Sequence, residues 1–175
     1  KERPFALLPD PSFLYLSKGH STALTLLRYS IMNRQGFTVV SGEVGSGKTT
    51  LINRLLDEMK SGMTVGLINF TTRSFGEMAE WIMMAYGLPY KNKSKVELYD
   101  DFVQFMIREY AAGRPVVLIV DEAHNLGIRG LEEIRMLSNV NAQKDYLLHV
   151  ILVGQPELRT LLQNPQLRQL TQRVS

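Results

Sequence analysis

The residues "SGEVGSGKTTL" at 41–51 carry the first suggestion of chemistry. Gly42, Gly47, Lys48 and Thr49 satisfy the spacing G-x-x-x-x-G-K-[ST], with Gly45 as a further glycine inside the loop. Glycines let successive backbone N–H groups curl inward, and such a nest of donors suits phosphate oxygens. A helix opening at the end of the loop aims its positive dipole end at the same point. The Lys48 ammonium reaches terminal phosphates, and the Thr49 hydroxyl suits Mg²⁺. The motif follows an apolar strand and opens a helix, which is the context it demands. It predicts a bound nucleoside triphosphate held by Gly42, Glu43, Val44, Gly45, Ser46, Gly47, Lys48, Thr49 and Thr50.

A second cluster lies in "VVLIVDEAH" at 116–124. An aspartate at the carboxyl end of a hydrophobic strand sits beside the phosphate loop when the two strands are neighbours or near neighbours. Asp121 is therefore a candidate Mg²⁺ ligand with Thr49, and Glu122 a candidate general base that polarises the attacking water. His124 reads either as a helix-start residue or as a contributor to the site.

These residues need a scaffold that brings strand ends together. "FTVVS" (37–41), "TVGLINF" (64–70), "PVVLIVDE" (115–122) and "LLHVILVG" (147–154) read as strands. Helical spacing predicts helices over about 22–33, 49–59, 74–86 with Ser74 as N-cap, 97–112 ended by Gly113, and 131–139. Near-continuous apolar strands alternating with helices predict a parallel sheet covered on both faces. Met78, Met83 and Met84 beside Trp81 read as ordinary packing. "RPFALLPDPSFLYLS" reads as an extended arm, so residues 1–35 form an arm and helix packed on a core of 36–175.

Composition sets the bounds. The 175 residues suffice for one domain with a sizeable core, and 45% hydrophobic with 21% charged residues is a globular balance. A net charge of +3 is too small to argue for nucleic acid by itself. The absence of cysteine excludes disulfides and thiolate metal sites. No apolar run approaches the roughly 18 residues of a membrane span. The chain starts at Lys1 and stops directly after "QLTQRV", which reads as a piece of a longer protein.

Among nucleoside triphosphatases, a guanine reader would want N-K-x-D, and "NKSK" at 92–95 lacks the aspartate, so ATP is favoured. "DEAH" is shared with helicases, but their Ser-Ala-Thr motif is absent, as is the L-S-G-G-Q signature of ABC transporters. The layout instead resembles the AAA+ ATPases, and most closely those typified by general secretion pathway protein A, with relatives in pilus and exopolysaccharide systems. The residues that carry this are "PFALLPDPSFLYLSKGH", "FTVVSGEVGSGKTTL", "VVLIVDEAHNL", "LEEIRMLSN", "ILVGQPELR" and "LRQLTQRV", almost the whole chain. Transposition ATPases look like cousins with the same core.

The resemblance implies an α/β P-loop fold, a three-layer αβα sandwich around a central parallel sheet, whose C-terminal lid would follow residue 175. It implies that Gln155 ends the strand between loop and acidic pair and senses the γ-phosphate, and that Asn69 ends the second strand and restrains Glu122. It implies a ring or filament of identical chains in which an arginine, Arg173 in preference to Arg168, completes a neighbour's site. Phe13 and Tyr15 either border adenine or belong to the core. The implied role is a cytoplasmic ATPase, or one at the cytoplasmic face of the inner membrane, that assembles an envelope or secretion complex. The alternative is a transposition regulator forming filaments on DNA, with Lys91, Lys93 and Lys95 on phosphates.

Overall fold

The computed structural model describes residues 18–59, 62–69, 77–142 and 145–174. In chain order these form α1 (Lys18–Met32), β1 (Phe37–Ser41), α2 (Lys48–Glu58), β2 (Thr64–Asn69), α3 (Met78–Ala85), α4 (Lys95–Ala111) and β3 (Val116–Asp121). A 3₁₀ turn (Ala123–Leu126) leads into α5 (Gly127–Leu137), followed by the two-residue strands β4 (Asn141–Ala142) and β5 (Asp145–Tyr146). The chain continues through β6 (Leu148–Gly154), α6 (Glu157–Leu162), a 3₁₀ turn (Pro165–Leu167) and α7 (Arg168–Thr171). Ser74, the expected N-cap of the third helix, and Phe13 and Tyr15 lie outside the described residues.

The four long strands pair in parallel in the order β1-β6-β3-β2. Strand alternation then sorts their side chains into two cores. Val117, Ile119, Ile151 and Val153 face α1 and α2, meeting Leu24, Leu27, Ile31, Leu51, Ile52 and Leu55. Val116, Leu118, Val120, Leu148, Val150 and Leu152 face the opposite way, onto Met78, Ile82, Leu98, Phe102, Leu131 and Ile134 from α3, α4 and α5. β3 and β6 are buried along their whole length, so each apolar side chain on them contributes on the order of 1.5–3 kcal/mol. The result is the expected three-layer αβα arrangement.

Local details depart from the expectations. α4 begins at Lys95, ahead of the expected Glu97, because Ser94 and Glu97 form a reciprocal capping box. Ser94 N–H donates to Glu97 Oε2 at 2.8 Å and Glu97 N–H donates to Ser94 Oγ at 3.3 Å. α5 begins at Gly127, not near Leu131. Gly127 has φ 66°, a conformation that glycine adopts without strain. Met84 is 45% exposed, whereas Met78 and Met83 are buried. Gly66 has a steric reason within β2: a Cβ there would stand 2.8 Å from the Tyr86 ring, whose hydroxyl donates to the Val117 carbonyl at 2.8 Å.

Candidate functional site

The parallel register sets which residues meet at the carboxyl edge of the sheet. Ser41 lies opposite Gly154, and Asn69 opposite Asp121. Because β6 lies between β1 and β3, the segment after Gly154 separates the phosphate loop from the acidic pair. Gln155 therefore stands between them, as the strand order required.

The loop itself runs from β1 into α2. Gly45 and Gly47 have φ 76° and 82°, both in the left-handed region. At Gly42 a Cβ would stand 2.8 Å from Ser46 Oγ, so the Ser46 hydroxyl would have to turn aside. α2 opens on Gly47 with no side chain capping it, which leaves first-turn N–H groups for another acceptor. Lys48 Nζ folds back over the loop, donating to the carbonyls of Gly42 (2.7 Å) and Glu43 (2.8 Å) and to Ser46 Oγ (3.4 Å). His20, in the first turn of α1, stands with Nε2 2.8 Å from the Ser46 carbonyl.

Across the cleft, Thr49 Oγ1 donates to Asp121 Oδ2 at 3.4 Å. Asp121 is 9% exposed, and its other oxygen accepts the Glu122 N–H at 2.9 Å. Glu122 has φ 54°, a left-handed conformation unusual for a non-glycine residue. Such outliers persist only where the surroundings hold them and are frequent at working sites.

His124 joins the two sides. Its Nδ1 accepts the Gln155 N–H at 3.4 Å, so the ring proton sits on Nε2, which lies 3.4 Å from Glu122 Oε2. Of its two sequence readings, the structure supports the one that brings it to the site. A cleft of about 330 Å³ is lined by Val44, Gly45, Gly47, Lys48, Thr49, Thr50, Glu122 and Gln155.

Other expected residues do not line this cleft. Asn69 is exposed at the end of β2, and the Glu122 carboxylate is met by His124 rather than by Asn69. Arg173 is not at this cleft. Its Nη2 donates to Asn139 Oδ1 at 2.6 Å, its guanidinium lies 5.5 Å from the Tyr146 ring centre, and the next residue, Val174, bridges to Phe37 at the start of β1. That is the opposite edge of the sheet. Arg168 is exposed on α7. His20 had no sequence signal, because its contact joins residues 26 positions apart.

Comparison with known proteins agrees with this geometry. The family model described as AAA domain matches residues 31–162. General secretion pathway protein A of Aeromonas hydrophila is 36% identical over 175 residues, which is 99% of this chain and 32% of that protein. The chain thus spans about a third of the length of this relative. Among solved structures, Cdc6p from Pyrobaculum aerophilum superposes with a TM-score of 0.64 at 18% identity, covering 92% of this chain and 45% of that one. The Aeropyrum pernix ORC2 protein, solved as ADPNP–ADP complexes, gives 0.61 at 16% identity, covering 93% and 47%. These two likenesses concern the fold. With the AAA model matched across most of the residues that build the sheet and the cleft, the chain belongs to the AAA domain family and is an ATPase.

Proposed function

We propose that this ATPase domain binds ATP with Mg²⁺ in the cleft between the phosphate loop and the Asp121–Glu122 turn, and that hydrolysis drives assembly or remodelling of a bacterial envelope or secretion complex. The carrying observation is the convergence of Lys48, the Thr49–Asp121 pair and the Glu122–His124–Gln155 chain around one cleft.

Each group has a physical task. Lys48 exchanges two neutral carbonyl acceptors for charged phosphate oxygens, which make stronger partners for an ammonium. Thr49 and Asp121 present two hard oxygens to one point, a donor set that suits Mg²⁺, which takes one or two protein oxygens and keeps water and phosphate for the rest. When bound, the ion neutralises charge on the terminal phosphates.

The Glu122 carboxylate accepts a proton from the water that attacks the γ-phosphorus, and ADP departs with the bridging oxygen. His124 Nε2 lies 3.4 Å from Oε2, which leaves Oε1 for that water. The Gln155 amide is the candidate donor to the γ-phosphate. Arg173, at the far edge of the sheet, is out of reach of its own cleft and suits a neighbour's site in a ring or filament of identical chains. Asn69 remains a candidate restraint on Glu122 in the nucleotide-bound state.

Similarity to general secretion pathway protein A supports the envelope role. A DNA-filament role is less well supported by the charge distribution. Of the three loop lysines, Lys93 pairs with Asp101 and Lys95 with Glu77 at 2.8 Å, so two of the three cations already face carboxylates. No helix among the described residues is long and apolar enough to cross a membrane.

The deciding measurement is ATP turnover by the full-length protein, with and without double-stranded DNA at low salt, beside Glu122→Gln. DNA-independent turnover that the substitution abolishes supports the envelope reading. Turnover that requires DNA overturns it in favour of transposition chemistry.

A further inference from the structure

A phosphate cradle works only if its peptide units are turned the right way. The Ser46–Gly47 peptide is one that can take the wrong turn. Gly47 has φ 82° and glycine resists neither sign of φ, so the peptide before it can rotate as the central peptide of a turn does between two common turn types. One orientation directs the Gly47 N–H into the cleft. The other directs the Ser46 carbonyl there, presenting a lone pair to an anion.

His20 is positioned to decide between them. Its Nε2 lies 2.8 Å from Ser46 O, and a carbonyl carries no proton, so Nε2–H is the donor. The described chain has no cis peptide, and in a trans unit the C=O and N–H point to opposite sides. Drawing the Ser46 carbonyl toward α1 therefore turns the Gly47 N–H away from α1, and Gly47 is one of the residues that line the cleft. The ring is also in direct contact with the loop: a Cβ on Gly47 would stand 3.1 Å from Nε2. Glycine at this position thus serves both the left-handed turn and the approach of the imidazole.

We propose that His20 is a positioning residue for nucleotide binding. It holds the Ser46–Gly47 peptide with its donor facing the phosphates and makes the affinity of the loop depend on the seating of α1. The inference rests on the loop being a phosphate cradle. It concerns phosphate alone and makes no use of the base.

The test compares full-length wild type, His20→Gln and His20→Met by calorimetric titration with ATP–Mg²⁺ and with inorganic tripolyphosphate, which has no base. Gln and Met are similar in length to histidine, and only Gln supplies an N–H. His20→Met should bind both ligands about tenfold more weakly, by the same factor, as loss of one well-placed hydrogen bond implies. His20→Gln should stay within about threefold of wild type. Loss with ATP but not with tripolyphosphate would assign His20 to the base and overturn the proposal. Equal loss in both variants would reduce the residue to packing and overturn it too, as would no loss in either. Failure of the wild type to bind either ligand would instead remove the cradle reading beneath it.

Discussion

β6 carries a histidine-centred polar cluster at each of its ends, and the sheet treats the two in opposite ways. At the amino end, His149 is 3% exposed. Its Nδ1–H bonds the Gln35 carbonyl, and Nε2 lies 3.3 Å from Thr38 Oγ1 and 3.5 Å from Ser30 Oγ. Ile31, Tyr110 and Tyr146 close over it and leave a void of only about 10 Å³. At the carboxyl end, His124 bonds the Gln155 N–H and faces Glu122, and both of those residues line a cleft of about 330 Å³. The side chain is the same, though the proton sits on Nδ1 in His149 and on Nε2 in His124. What differs is whether the partners are spent on each other or left facing space. A closed cluster can only stabilise; an open one can act on a ligand.

The sharpest way to break the contrast is at the open end. Glu122→Gln removes the proposed base while keeping shape and the His124 contact. Turnover should fall by about 10³-fold, within the range for loss of general-base catalysis, with nucleotide affinity nearly unchanged. Steady-state turnover and equilibrium binding measured on the same preparation check this. A modest fall, below about tenfold, would show that Glu122 is not the base.

The closed end should respond to pH instead. Burial pushes the His149 imidazole down to about 4, well below the ordinary 6.5. The unfolded chain therefore binds the proton first as pH falls. Stability from this group is complete above about pH 6.5 and is lost progressively toward pH 4, by up to about 3 kcal/mol. Urea denaturation at pH 7 and pH 4.5 should show that slope, and His149→Gln should flatten it while turnover at pH 7.5 stays near wild type. An unchanged slope in the variant would place the acid sensitivity elsewhere.

His124→Ala then asks what the open cluster gains from its own histidine. The kcat should drop about tenfold, one hydrogen bond's worth of orientation, while the Kd for ATP is retained. His124→Gln, which can donate to Glu122, should recover most of the loss. An equal deficit in both variants would mean that the imidazole itself is required.

The two ends also differ in how far they were legible in the sequence. The open end was readable because its key residues are consecutive: the loop 42–50 and the pair 121–122 are each fixed by local spacing. Apolar runs such as "VVLIV" indicated buried parallel strands, and only the resemblance placed the strand before Gln155 between the loop and the acidic pair. His20 and His149 were not readable, since each acts through a contact more than 25 residues away, and no periodicity encodes such a contact. β4 and β5, two residues each, are too short to show alternation. Asn69 was placed correctly at a strand end, but the helix-side partner of Glu122 came from the 3₁₀ turn. Position along a strand was predictable; side-chain partnership across the edge was not.

The smallest effect belongs to a third region, the start of α4, and it serves as the control for the others. The signature S-x-x-E at 94–97 is present in the sequence, yet helical spacing placed the start of this helix at 97. In the structure both capping bonds are made, and the Ser94 hydroxyl and N–H hold the Glu97 carboxyl below its usual range. Ser94→Ala removes the side-chain acceptor at the start of α4 and should cost about 1 kcal/mol. α4 packs through Leu98 and Phe102 onto the core beneath β3, on the far side of that strand from α1 and α2. A loss confined to that helix should lower the thermal midpoint by a few degrees and leave kcat, the Kd for ATP and the acid slope unchanged. If turnover falls with it, the cleft is sensitive to global stability. The effects at Glu122 and His124 would then have to be measured again at matched stability before either is assigned to chemistry.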